Sequence, residues 1–395
     1  MLLLLAMATY VGNDSCRPCH PAIAESYEKT AMAQSTKPAS KVPSGSFLHQ
    51  ASQIEYRIKE DGRVVMRDRA GHVTEERFDY AIGSGAAGYS FLTFRDRWLW
   101  QAPITWYSQK ARWAPSPGYE LDRTMKWDRP VDPSCLTCHA SQVTHIYGTL
   151  NRYAEQPFRQ NGIGCERCHG PGSEHIKGRA RMIRPTDLTA ERRDDVCRQC
   201  HLMGEARIPR EGRSFGEYRP GDRLGDFVAY FVYDDPAGAR LRTTSHFEKI
   251  AESRCRQMSG GSFWCGSCHD VHGAPADPVT YFRQKCLKCH SLKTAQPCPR
   301  TANCIGCHMP KLPAIDAGHG AFTDHSLSRT PQAPSPKSPG VWRLRPFSPS
   351  DEGIREMGVA YLEAFSRTGD IRQKTMGLQI LDGLSQKSKT AHPLQ

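Results

Sequence analysis

Apolar and polar residues alternate in short runs through the first third of the chain. Ile54-Glu-Tyr-Arg-Ile58, Val64-Val-Met66 and Trp98-Leu-Trp-Gln-Ala102 follow the two-residue period of a half-buried strand. Asp61-Gly62, Ala70-Gly71 and Gly83-Ser-Gly85 separate them with tight-turn residues. The pattern predicts a small antiparallel β segment inserted over residues 46–130. Between 131 and 325 no period is sustained, and the fifteen Pro and Gly residues from 157 to 225 predict short helices and loops there. Residues 326–350, including "RTPQAPSPKSPGVWRLRPFSPS", read as a Pro/Ser-rich linker. Over 351–395 the period lengthens to that of a helix. Met357, Tyr361 and Phe365 give one helix an apolar face, and Met376, Leu378 and Leu381 give another, with the join around Gly369-Asp370.

Composition makes an ordinary core hard to build. Only 38% of the 395 residues are apolar, and the mean hydropathy is −0.59. The cysteines change the picture. Cys-x-x-Cys-His occurs seven times, at Cys16/Cys19/His20, Cys135/Cys138/His139, Cys165/Cys168/His169, Cys197/Cys200/His201, Cys265/Cys268/His269, Cys286/Cys289/His290 and Cys304/Cys307/His308. Chance would supply on the order of 0.03 copies. Two thiols at this spacing add across the vinyl groups of a haem, and the adjacent histidine binds the iron. Tetrahedral zinc would need a second half-site for each pair, and seven is odd. A redox dithiol has no use for a histidine after the second cysteine in every copy. The reading is seven covalently attached haems c, whose flat apolar surfaces the chain can wrap. One haem site falls in residues 9–45 and six fall in 131–325. Motifs two to four follow at 30–32 residue intervals and five to seven at about 20, so neighbouring haems must lie close.

A bis-histidine iron needs a second imidazole. Nine histidines lie outside the motifs: His49, His72, His145, His175, His246, His272, His319, His325 and His392. His175 in "CHGPGSEH" and His272 in "CHDVH" sit closest behind motifs, and each suits a neighbouring haem better than its own. His319 and His325 in "HGAFTDH", His49 and His246 are further candidates. His145 reads either as a ligand or as a histidine beside a ligand. His72 and His392 read as solvated. Without His145 six histidines would serve seven irons, leaving one open or bound by Met, Lys or water. A saturated haem moves electrons and an open one binds small molecules. Cys255 and Cys298, the two leftover cysteines, read as a disulfide, as buried thiols or as a thiolate ligand.

The formal charge of +12 first suggests nucleic acid or a membrane surface. Haem propionates undercut this, because each bis-histidine haem carries roughly −1 oxidised and −2 reduced. Seven would shift the total to about +5 or about −2. The basic excess therefore reads as propionate neutralisation, and no nucleic-acid module is visible. "MLLLLAMA" at 1–8 reads as the remnant of an export signal. No later run of 18 apolar residues suggests a membrane span. The expected location is the periplasm or beyond.

"YVGNDSCRPCHPAIAESYEKTAMAQS", "GIGCERCHGPGSEH", "VCRQCH", "CGSCHDVH", "CIGCHMPK" and "FTDH" resemble multihaem c-type cytochromes related to the tetrahaem cytochrome of ammonia oxidisers. Many such chains continue into tetratricopeptide repeats, to one of which the C-terminal helix pair is similar. Alternatively that pair is a hairpin packed back on the haem region. The resemblance covers residues 10–325 and implies closely packed haem pairs and periplasmic electron transfer, with His175 and His272 as distal ligands. Seven motifs and a β insertion depart from the tetrahaem pattern. The expected fold is mainly irregular and α, with short helices around a haem stack, the small β insertion and a C-terminal hairpin. The expected function is electron transfer between redox partner proteins. A multihaem oxidoreductase acting on a small nitrogen or sulfur compound is the alternative. Docking of a partner through the C-terminal helices, and assembly into oligomers or filaments, are compatible with the first.

Overall fold

The alternating runs become strands. The computed structural model describes residues 8–234, 241–290, 303–316, 318–328 and 340–391, with side chains up to residue 386. The chain divides into two compact units. The first runs to Pro185 and includes His269–Ala276 and Asp316–Ala321, and the second holds the remainder.

In the first unit the strands are β1 (Thr36–Pro38), β2 (Gly45–His49), β3 (Ile54–Ile58), β4 (Arg63–Arg67), β5 (Val73–Arg77), β6 (Tyr80–Ile82), β7 (Tyr89–Arg95), β8 (Trp98–Tyr107), β9 (Arg112–Pro115) and β10 (Arg129–Pro130). β2 to β5 form an antiparallel meander, and a second sheet has the order β1-β6-β7-β8-β10 with β9 also on β8. Alternation sends Tyr56 and Ile58 of β3, and Val64 and Met66 of β4, into one core with Phe78, Phe91, Ile104 and Trp113. A further hairpin, β11 (Gln142–His145) with β12 (Tyr153–Gln160), covers Leu92, Leu99 and Leu136 with Tyr153 and Phe158. The helices here are short: α1 (Pro21–Glu28), α2 (Pro133–Leu136), α3 (Glu166–His169) and α4 (Ser173–Ile176).

The second unit is built around a three-stranded antiparallel sheet of β13 (Ala206–Pro209), β14 (Val228–Tyr233) and the strand Leu344–Pro346. β14 is apolar on both faces because both are covered. Val228 and Tyr230 meet Leu202, Leu224 and Phe247, whereas Ala229, Phe231 and Tyr233 face the C-terminal helices. The unit's helices are α5 (Ala190–His201), α6 (His246–Glu252), α7 (Arg254–Met258), α8 (Cys265–Cys268), α9 (Pro278–Leu287), α10 (Cys304–His308), α11 (Ile354–Thr368) and α12 (Ile371–Ala391). Gly369 ends α11 in the left-handed region, its N–H returning to Phe365 C=O at 2.8 Å. Tyr361, Ala364, Met357 and Met376 press the hairpin onto the sheet. Under this sheet Arg198 is buried between Asp195 (3.0 Å) and Asp351 (3.4 Å).

The expectation of a mainly irregular and α chain is overturned. Helices hold about 31% and strands about 23% of the residues, in several antiparallel sheets. β14 reads as one apolar run without alternation, and its partner Leu344–Pro346 lies over a hundred residues away inside a Pro-rich stretch, so local periodicity could not reveal the sheet. Residues 329–339 of that stretch lie outside the described residues, as do Cys298 and His392.

Candidate haem-ligand sites

Most of the motifs coil into about one helical turn. The histidine N–H donates to the first cysteine's C=O in His20→Cys16 (3.0 Å), His169→Cys165 (3.0 Å) and His290→Cys286 (2.9 Å). The two cysteines, three residues apart, then lie on neighbouring parts of one face. α10 has the Asn303 side chain at its start, accepting from Gly306 N–H at 2.9 Å.

The turns come together in twos. First cysteines of different motifs are hydrogen-bonded, Cys16 to Cys165, Cys197 to Cys265, and Cys286 to Cys304. Burial first, and the neighbouring thiol second, push Cys16 and Cys286 up to about 11. Cys265 moves the other way, held down by the hydrogen bond with Cys197. Cys255, raised by burial, lies close enough to Cys289 to feel its charge.

The two thiols of a motif are not always equally exposed. Cys19 is exposed where Cys16 is half-buried, and Cys307 is exposed where Cys304 is half-buried. In the second motif the order reverses, with Cys135 exposed and Cys138 half-buried just after α2. The third, fourth and fifth motifs treat their pairs alike, with Cys165 and Cys168, Cys197 and Cys200, and Cys265 and Cys268 all half-buried. Residues three apart are separated by about 60° around the axis. At Cys16 and Cys304, which meet another motif, the second thiol is exposed, whereas at Cys165, Cys197 and Cys265 both thiols of the motif stay half-buried.

Two pairs of imidazoles face each other. His20 and His175 have ring centroids 6.4 Å apart with planes 16° from parallel. His169 and His272 are 5.8 Å apart with planes at 10°. A metal–nitrogen bond of about 2.0–2.1 Å, with the ring centroid roughly 1.1 Å behind the nitrogen, sets two imidazoles about 6.3 Å apart across one metal. Both pairs fit this spacing.

Hydrogen bonds at the other ring nitrogen agree. A carbonyl oxygen only accepts, so the nitrogen facing it carries the proton. Nδ1 donates to Ile183 O from His169 (2.7 Å), to Ala180 O from His175 (3.1 Å), to Ser328 O from His308 (2.9 Å) and to Thr323 O from His325 (3.0 Å). This is the outer support that metal-bound imidazoles use, and it would leave Nε2 of His169, His175 and His308 free to donate to a metal. Burial also holds His169 below the usual imidazole value, favouring the neutral form that binds metal.

Other candidates are placed differently. His49 is buried at the end of β2, with Nδ1 2.8 Å from Ser52 Oγ and Nε2 donating to Glu120 O at 3.2 Å. His145 Nε2 donates to Thr149 O at 2.8 Å. In both, the nitrogen a metal would need carries a proton. His72 is exposed beside Asp68. His319 lies 3.1 Å from the Arg112 guanidinium and edge-on to Tyr107. His201, His246 and His325 form a cluster. The Nδ1 atoms of His201 and His246 are 3.0 Å apart, and the His246 and His325 rings meet at 4.7 Å. His269 is pushed down by burial. His139 C=O accepts from Ser35 Oγ and Thr36 Oγ1 at 2.8 and 2.7 Å.

Sequence reasoning missed Glu166, which looks like filler between Cys165 and Cys168. It is buried, and its carboxylate accepts N–H groups from Val11 (2.9 Å), Gly12 (2.8 Å) and Gly172 (2.8 Å). Asn13 Oδ1 accepts from Cys165 N–H at 2.9 Å. The Gly-Pro-Gly turn was the available signal, since a turn that tight needs its amides held.

In each couple one imidazole is steadied by a backbone carbonyl, and the ring spacing is that of two ligands on one metal. Comparison with known proteins bears on the class. The family described as cytochrome c554 and c-prime matches residues 105–170. The multiheme cytochrome MtrA of Shewanella baltica (strain OS185) is 27% identical over 214 residues, 50% of this chain and 48% of that protein. The chain thus spans about half the length of this curated relative. The crystal structure of the outer cell wall cytochrome OcwA shares the fold, with a TM-score of 0.51 at 16% identity over 80% of this chain and 79% of that one. These proteins, like the seven Cys-x-x-Cys-His motifs, point to multihaem c-type cytochromes as what the chain is similar to.

Proposed function

We propose that the chain is a heptahaem electron conduit, one haem on each Cys-x-x-Cys-His motif, exported and passing electrons between redox partner proteins. The observation carrying this reading is the pair of imidazole couples, His20 with His175 and His169 with His272. Both cysteines of each motif would carry thioethers, the outward Cys19 and Cys307 and the half-buried Cys138 and Cys200 included. Each motif histidine would hold an iron from one side. His175 and His272 would close two of them. Haem supplies the ferric–ferrous couple. The protein's part is to hold the imidazoles, fix their tautomers and exclude water. Export is supported by the cell-wall location in the name of the structural relative.

The histidine count favours a second reading at one haem. Setting aside His49 and His145, whose Nε2 atoms donate to carbonyls, and His72, paired with Asp68, leaves six distal candidates for seven irons, with His392 included. One iron would then lack a distal histidine and be open to a small nitrogen or sulfur compound.

Pyridine haemochrome with low-temperature EPR of the oxidised protein tests both. Seven haems with low-spin signals, two of them rhombic as near-parallel imidazole planes require, fit the conduit. A stoichiometric high-spin signal that shifts with nitrite or hydroxylamine would establish the open iron. Fewer than seven haems would refute the heptahaem assignment.

A further inference from the structure

One stretch outside the motifs touches both imidazole couples. After α4 the chain turns at Gly178, whose φ of +70° is left-handed. Its N–H closes on His175 C=O at 2.8 Å, and Arg179 N–H closes on Glu174 C=O at 2.9 Å. The turn carries Ala180 C=O to His175 Nδ1. Three residues later Ile183 is tied twice to His169. Its N–H donates to His169 C=O at 3.1 Å, and its C=O accepts from His169 Nδ1 at 2.7 Å. His175 faces His20, whereas His169 faces His272. One six-residue segment therefore orients an imidazole in each of two couples.

We propose that residues 178–183 are a shared positioning strap that sets the reduction potentials of two haems together. This rests on the ligand couples proposed above. A carbonyl accepting from Nδ1 fixes the tautomer and makes Nε2 a stronger donor. A stronger donor favours the ferric iron, so loosening the strap raises the potential. Because both carbonyls belong to one short backbone segment, anything that displaces it acts on both irons at once.

Two substitutions address the strap from its two ends. A Cβ at Gly178 would have nothing within 4 Å, so Gly178→Ala acts only through backbone strain. Ile183→Gly loosens the other end and removes the side chain that lies beside Gly170. Neither residue is a metal ligand. The readout is a redox titration of the holoprotein followed by EPR. His175→Ala and His272→Ala identify the two signals, since each should convert one low-spin haem to high-spin. The expected result is that Gly178→Ala and Ile183→Gly each move both identified signals to higher midpoint potential and leave the others in place. If each variant moves only the nearer signal, or moves neither, the strap is refuted while the couples stand. If the histidine variants cost no low-spin signal, the couples fall, and the strap with them.

Discussion

Replacing Glu166 by alanine is the most informative single change in the first unit. Its carboxylate takes three backbone N–H groups, two from Val11 and Gly12 and one from Gly172, all at 2.8–2.9 Å. A hydrogen bond to a charged acceptor is worth about 1.5–3 kcal/mol, and a buried donor left unsatisfied costs about 1–3 kcal/mol. Val11 and Gly12 lie on a terminal arm and can turn to water once released, whereas the Gly172 amide is enclosed and bears its full desolvation cost. With the arm's amides resolvated, the lost Gly172 bond and its desolvation together cost about 2.5–6 kcal/mol. The loss should be local as well as global. Thr9, Val11, Gly12 and Asn13 are the residues that fasten the arm, through Ser173, Glu166 and Gln160, and the arm leads directly into Cys16. Urea unfolding of the holoprotein would measure the free energy, and amide exchange at residues 9–13 would locate it. A loss below about 1 kcal/mol, with unchanged exchange at Val11 and Gly12, would mean that this carboxylate does not clamp the arm.

Three further outcomes are expected. His145→Ala should leave the number of low-spin haems unchanged and cost about 1 kcal/mol for the bond to Thr149; EPR losing a low-spin haem would contradict the tautomer argument. Gly162→Ala should cost more than about 3 kcal/mol, because φ is +63° and the new Cβ would stand 1.9 Å from Ala33 O; an unfolding midpoint near wild type would refute this. Asp195 and Asp351 are held above the ordinary carboxylate value of 3.8, chiefly by burial and against the pull of Arg198. Raised carboxyls stabilise the fold below 3.8, and that contribution is lost as pH rises through their folded values. Asp351→Asn should therefore flatten the fall in urea midpoint over that window, and an unchanged slope would count against it.

The sequence was most legible where chemistry imposes a spacing. The seven motifs, the turn-punctuated strands of 46–130 and the hairpin around Gly369 each have a local signature. What stayed hidden depends on partners far along the chain. His175 faces His20 and His272 faces His169 across 155 and 103 residues, and no local period encodes either match. The unequal exposure of Cys16 and Cys19 is of the same kind, since it depends on which distant motif the turn meets. The bond from His49 to Glu120 likewise exists only once the strands are assembled. Glu166 was invisible for the same reason: a carboxylate collecting three amides has no motif of its own.

The side-by-side first cysteines carry a consequence for how the molecule is made. Before haem is attached, Cys197 and Cys265 would stand as neighbouring thiols of different motifs, and Cys265 is the one whose hydrogen bond eases it toward thiolate. In an oxidising compartment such neighbours join as a disulfide, and a cysteine so joined can no longer form a thioether. The same hazard exists for Cys16 with Cys165 and for Cys286 with Cys304, though the raised values of Cys16, Cys165 and Cys286 slow their attack. The folded arrangement is thus safe only after its cofactors are in place. Were haem attached in such a compartment, the thiols would have to be kept reduced and capped by haem while the chain is still open, with compaction last.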